Sequence, residues 1–212
     1  MVSFLTSELF VEISTVVILL LSIGLSAVIT QKFLAKRSKS LLYWGSGLWV
    51  FAVSVLIEVV FAFNVYSGFL AGAYLFLVAA IVELLALGSM FLVKNEKLRL
   101  SYIVFMVVTS VVFIYFLLTE QIPNLLTSFV VFNPNLPLGV LIMSSVITFP
   151  AAIILIVVAA LSYMKKKSNK LLSIIAGVIV VSVAGTLYIV GFPAFLYYSE
   201  FVGILLLWYG FI

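Results

Sequence analysis

The sequence predicts an all-α, polytopic integral membrane protein: a bundle of seven transmembrane helices, N-terminus outside and C-terminus cytoplasmic. Three observations predict it. Hydrophobic residues make up 66% of the 212 residues and charged residues 8%, with a mean hydropathy of +1.42, whereas a water-soluble domain carries about 25% charge. The apolar stretches reach the ~20 residues that a helix needs to cross hydrocarbon. All eleven Lys and Arg residues fall in three short loops, which alternate with connections that hold none.

The spans follow from the charge clusters and from Pro, Gly and Asn. The first, 9–30, has no basic n-region and too long an apolar run for a cleaved signal peptide. Lys32, Lys36, Arg37 and Lys39 separate it from the second, 41–63. The third, 68–93, ends at Lys94, Lys97 and Arg99, and the fourth is 101–118. A long outer connection, 119–137, carries the apolar run 125–132 between prolines and asparagines; it reads as an interfacial segment, either a lid, a docking surface or a loop packed on its own bundle. The fifth span, 138–164, holds Pro150, which predicts a kink. Lys165, Lys166, Lys167 and Lys170 follow it. The remaining 42 residues, 171–212, are too long for one span at about 1.5 Å per residue and enough for two. Gly191-Phe192-Pro193 marks the break, giving spans 171–190 and 194–212. A rival break at Tyr197-Tyr198-Ser199-Glu200 would leave only a half-helix after it. The positive-inside rule places the three basic loops in the cytoplasm. The chain reads as one transmembrane domain, and no internal repeat is evident along it.

What the chain lacks narrows its chemistry. It has no His, no Cys and no Asp. Disulfides, thiol nucleophiles, imidazole or thiolate metal sites and His-based mechanisms are therefore excluded. No Lys lies in a span to serve as a base beside the many Ser and Thr residues. Catalytic residues, metal ligands and cofactors are not predicted, and the chain does not read as an enzyme. The basic balance orients the protein and touches anionic headgroups; it is no sign of nucleic acid. Seven spans with an outer N-terminus resemble the layout of microbial rhodopsins. The stretch Gly191-Phe192-Pro193-Ala194-Phe195 is similar to their Pro-and-aromatic sixth helix. Those proteins hold retinal on a Lys in the last helix. Residues 194–212 contain none, so no Schiff base forms here.

Intramembrane carboxyls are the sharpest remaining signal, because each costs a few kcal/mol in hydrocarbon and must face protein or water. Glu12, Glu58, Glu83 and Glu200 lie in spans 1, 2, 3 and 7. Glu58 shares a helical face with Gly47 and Ser54, Glu83 with Gly72, Ala79, Ala80 and Ala86, and Glu12 with Thr15, Ser22 and Ser26. These four are candidates for a proton or cation path; the alternative is a carboxyl bonded to a neighbouring helix. Gly68 and Gly72 form a GxxxG pair. Ser173, Gly177 and Gly185 form a small-residue ridge for helix packing. The aromatics near span ends read as interfacial anchors.

Two functional readings follow. The first is a non-catalytic membrane subunit that packs into a larger complex with other membrane subunits or with copies of itself. The second is a small transporter or proton- or cation-conducting bundle that uses the glutamates. A third, weaker reading is a protein that binds lipid or quinone among its aromatics. The absence of Cys and the short loops point to the cell membrane of a prokaryote.

Overall fold

The computed structural model describes residues 8–123, 136–189 and 194–212, with side chains described except at 8, 166, 181–189 and 194–196. Most of the expected outer segment, 119–137, lies outside these residues. Seven α-helices follow one another: α1 Glu8–Lys36, α2 Lys39–Ala62, α3 Gly68–Met90, α4 Glu96–Thr119, α5 Leu138–Lys166, α6 Asn169–Ile189 and α7 Ala194–Phe211. There is no strand among the described residues. Helices α1 to α5 are long and apolar enough to cross a membrane. Several helices outrun the apolar stretches that mark them. The backbone ladder persists past the last apolar residue, so α1 carries Lys32 and Lys36 and α4 starts at Glu96 instead of Ser101. Helix α5 stays one helix through Pro150.

Local sequence explains the joints. Ser67 caps α3 by accepting from the Leu70 amide at 3.2 Å, and Asn95 caps α4 by accepting from the Leu98 amide at 3.1 Å. Glu120, at the end of α4, accepts from the Val140 amide at 3.3 Å and so sets a carboxylate at the electropositive start of α5. The connectors after α1 and α5 are two residues long. Each turns on a basic residue in the left-handed region, Arg37 (φ 50°) and Lys167 (φ 46°), followed by a Ser.

Packing closes a ring. Helix α1 packs on α2, α2 on α3, α3 on α5, α5 on α6, α6 on α7, and α7 back on α1; α4 stands outside, against α3 and α5 alone. Exchanging α1–α2–α3 with α5–α6–α7 reproduces every contact of the ring. The exchange also holds residue by residue. At one constant offset in numbering, the turn Lys36-Arg37-Ser38 falls on Lys166-Lys167-Ser168, and Ser40, Trp44 and Gly47 of α2 fall on Lys170, Ile174 and Gly177 of α6. At a second offset, Leu84, Leu85 and Gly88 of α3 fall on Leu206, Leu207 and Gly210 of α7. Gly47 lies against Leu84 and Leu85 as Gly177 lies against Leu206 and Leu207. Gly88 lies against Ser40 and Trp44 as Gly210 lies against Lys170 and Ile174. The bundle is a pair of three-helix units related by a pseudo-twofold axis, with α4 as the link between them.

A small apolar cavity of about 50 Å³ sits on that axis. Matched residues line it: Leu48 with Val178, Val82 with Ile204, and Leu85 with Leu207.

Several aromatics read as anchors turn inward. Trp44 is buried against Gly88 and meets the Phe211 ring edge-on at 5.0 Å. Trp208 donates from Nε1 to the Leu21 carbonyl at 3.0 Å. Both fill space that glycines on neighbouring helices leave open, which outweighs the interfacial preference of an indole.

Candidate functional site

The two halves meet at a pair of carboxyls. Glu58 lies one turn before the end of α2 and Glu200 two turns into α7; they are 2% and 6% exposed. Their carboxyls lie within electrostatic reach of each other. No backbone contact joins α2 to α7, so the long Glu side chains bridge the ring's interior. The Tyr74 hydroxyl on α3 donates to Glu58 Oε1 at 2.7 Å. Tyr197, one turn before Glu200, is buried and lies within electrostatic reach of both carboxyls.

Aromatic packing shuts the pair off at this end of the bundle. Tyr197 packs with Val11 and Ala62, beside Phe10. Phe61 meets the Tyr66 ring at 5.8 Å and the Tyr74 ring at 6.1 Å. On the other side, Ile204 lies one turn after Glu200, roughly 6 Å along the axis, and faces the apolar cavity. The carboxyls are thus held between an aromatic seal and the axial cavity.

Donor accounting defines what this site can do. An ionised carboxylate only accepts hydrogen bonds, so a bond between two carboxyls exists only with a proton on one of them. Glu58 Oε2 and Glu200 Oε2 are buried and have no hydrogen-bond partner. No cation is supplied: the ion pair among the described residues is Arg99 with Glu96, at the exposed start of α4. The pair can therefore hold a proton, release it, and offer its oxygens to a cationic group in exchange. It lacks the donor set of a transition-metal site; no group of three or more His, Cys, Asp or Glu forms among the described residues.

The other glutamates stand elsewhere. Glu83 is 3% exposed but faces α4, away from the axis. Its Oε2 accepts from the Ser110 hydroxyl at 3.0 Å, and its Oε1 lies 3.2 Å from the Thr109 hydroxyl, which also faces the Phe105 carbonyl of its own helix at 2.8 Å. The Tyr102 hydroxyl reaches its backbone carbonyl at 3.5 Å. Glu12 is half-buried, and its carboxyl has no hydrogen-bond partner among the described residues. Its neighbours Thr15, Ser22 and Ser26 are fully buried, but each donates to a carbonyl of its own helix, leaving no free donor for a path. Glu58 and Glu200 are therefore brought together, while Glu83 and Glu12 are kept apart from them. Tyr74 and Tyr197 join the site without having been singled out. One signal could have found Tyr74: Glu58 and Tyr74 lie at similar distances from the tight α2–α3 turn, which sets them side by side.

The packing candidates divide as well. Ser173 donates to the Leu206 carbonyl at 2.6 Å and Gly177 meets the Gly203 carbonyl, so both lie at the α6–α7 crossing. Gly68 has nothing within 4 Å among the described residues, and Gly72 meets only Ile122. The surroundings of Gly185 lie outside the described residues.

The Glu83 arrangement gives a direct prediction. A Thr109→Val, Ser110→Ala variant removes both donors to a buried carboxyl. It should lose about 1–3 kcal/mol of stability, the cost of an unsatisfied buried group. A chemical unfolding curve in detergent measures it, and adding Glu83→Leu to the same variant should restore most of the loss.

No family model matches the chain, and no curated protein or solved structure is similar to it.

Proposed function

We propose that the chain is a small multi-pass transporter of a prokaryotic cell membrane. It crosses seven times with its N-terminus outside, and its cycle runs on a proton or cation held by Glu58 and Glu200. The single observation that carries this reading is the proximity of two buried carboxyls from opposite halves of a pseudo-symmetric bundle. Parallel repeats with a binding site at their interface are how many transporters alternate access, by rocking one repeat against the other. A bond across the seam that needs a proton couples occupancy to that motion. With protons or a cation held between the carboxyls the two halves are tied at the outer end; with that load gone, uncompensated negative charge in a low dielectric loosens the tie. The three basic loops set the orientation.

The test is proton movement in proteoliposomes loaded with a pH-sensitive dye. Under an imposed pH gradient, with sodium, potassium and short alkylammonium chlorides on both sides to serve as counter-ions for exchange, the wild type should dissipate the gradient faster than empty liposomes. Glu58→Gln and Glu200→Gln should fall to the rate of empty liposomes, and Glu83→Gln should keep the wild-type rate. Wild-type liposomes as tight as empty ones would overturn the reading. Attention would then pass to the accessory-subunit reading, which the outer face of α4 favours. Val104, Val107, Val111 and Leu118 are exposed there, and only Tyr102, Thr109 and Phe113 of that helix are buried. Gentle extraction from the native membrane would then recover a larger assembly of fixed stoichiometry.

A further inference from the structure

Ile204 lines the axial cavity one helical turn after Glu200, and the carboxyl pair and the cavity together describe a ligand. We propose that the site takes a primary alkylammonium ion with a short apolar tail, exchanged for a proton. The inference rests on the transporter reading and names its substrate class.

The head-group argument starts from the two orphan oxygens. Glu58 Oε2 and Glu200 Oε2 are buried acceptors that no protein donor reaches. A bare alkali cation would need a shell of oxygens, and of the four carboxyl oxygens here Glu58 Oε1 already accepts from Tyr74. An ammonium group brings its own N–H donors and needs no such shell. It can give one hydrogen bond to each orphan oxygen, and charge-assisted bonds of this kind are about twice as strong as neutral ones. Among the described residues, the titratable groups that face the pair are Tyr74 of α3 and Tyr197 of α7. Neither is cationic, and Glu12 of α1 makes no contact with it. Nothing positive occupies the place an ammonium would take.

The tail argument starts from the cavity. Its walls are Leu, Val, Ile and Phe, contributed by both halves. An apolar cavity of this kind stays dry and gains nothing from an inorganic ion. It begins about one helical turn inward of Glu200, the reach of a short carbon chain. A volume of about 50 Å³ suits the end of such a chain and excludes bulky or aromatic groups.

The exchange balances. With two protons the carboxyl pair is neutral. When RNH₃⁺ binds, one proton leaves, the other stays shared between Glu58 and Glu200, and the site is neutral again. One cation enters for each proton released. The net charge in the hydrocarbon does not change during the exchange, which keeps the loaded bundle no costlier to move than the empty one.

The experiment uses the purified full chain in detergent, with potassium, methylammonium, n-butylammonium and n-hexylammonium chlorides as probes. It reads the thermal unfolding midpoint and the pH of a weakly buffered solution. Affinity should rise about fourfold per methylene until the cavity is filled, from ~0.8 kcal/mol per buried CH₂, with one proton released per ion bound. This series needs no variant. Val82→Phe, which fills the cavity, should flatten the chain-length dependence while methylammonium still binds, and Glu58→Gln with Glu200→Gln in one variant should abolish binding and proton release. Affinity that ignores chain length, equal competition by potassium, or binding without proton release would overturn the proposal. The liposome assay separates the two failures. Proton flux without alkylammonium binding leaves a transporter of another substrate; binding without flux leaves the site but removes the transporter.

Discussion

Gly88→Val and Gly210→Val are expected to be the most damaging single substitutions in the protein. The two glycines occupy equivalent places in the two halves, where α3 crosses the start of α2 and α7 crosses the start of α6. A Cβ at Gly88 would come within 2.5 Å of Trp44 Cδ1 and 3.1 Å of the Ser40 carbonyl oxygen. At Gly210 it would overlap Ile174 and come within 2.9 Å of the Lys170 carbonyl oxygen. Backbone carbonyls in a helix cannot yield, so the crossing itself must open. Overpacking costs about 1–3 kcal/mol where side chains can adjust, and here the obstacle is backbone. Each valine should remove more than that, seen as loss of folded, monodisperse protein in detergent and a lowered unfolding midpoint. Gly68→Ala is the control: its Cβ meets nothing, so it should cost no stability.

A second large effect runs the other way. Glu58→Met, Glu200→Met and Tyr74→Phe together should raise stability by about 1–4 kcal/mol, the usual result of replacing a buried polar constellation with apolar residues of similar volume. The three side chains bury two orphan oxygens and two facing carboxyls, which a protein selected for stability alone has no reason to keep. The same variant should be inert in the proteoliposome assay. Unfolding curves with and without the substitutions decide it. A fall in stability would show that the cluster is a structural tie and would count against its role in transport.

The sequence made the helices legible and left their neighbours hidden. Hydropathy marks what can lie in hydrocarbon, so the seven apolar stretches coincide with the seven helices. It is blind to the ends: Lys32 and Lys36 sit on α1 because a helix ladder does not stop where the apolar residues do. The four intramembrane glutamates stood out by their cost, yet periodicity along one helix cannot say which other helix a face meets. Glu83 shared a small-residue face as promising as that of Glu58 and turned out to address Thr109 and Ser110. Glu200 sat in a stretch that also read as an interfacial belt, and only the closure of α7 on α1 brings it to Glu58. The repeat was equally veiled. In lipid any apolar side chain serves as well as another, so the halves share little in sequence beyond a basic left-handed turn and the glycines at the crossings.

The peripheral position of α4 has a consequence for the direction of the two halves. A unit of three crossings starts on one side of a membrane and ends on the other, so a second copy joined directly would enter upside down. One extra crossing restores the direction. Helix α4 packs only on α3 and α5 and takes no part in the carboxyl site or the cavity, which is what a topological spacer needs to do and no more. Under the proposed seven-span topology, α4 is therefore what sets the two halves parallel, so that a glutamate of one half stands opposite a glutamate of the other.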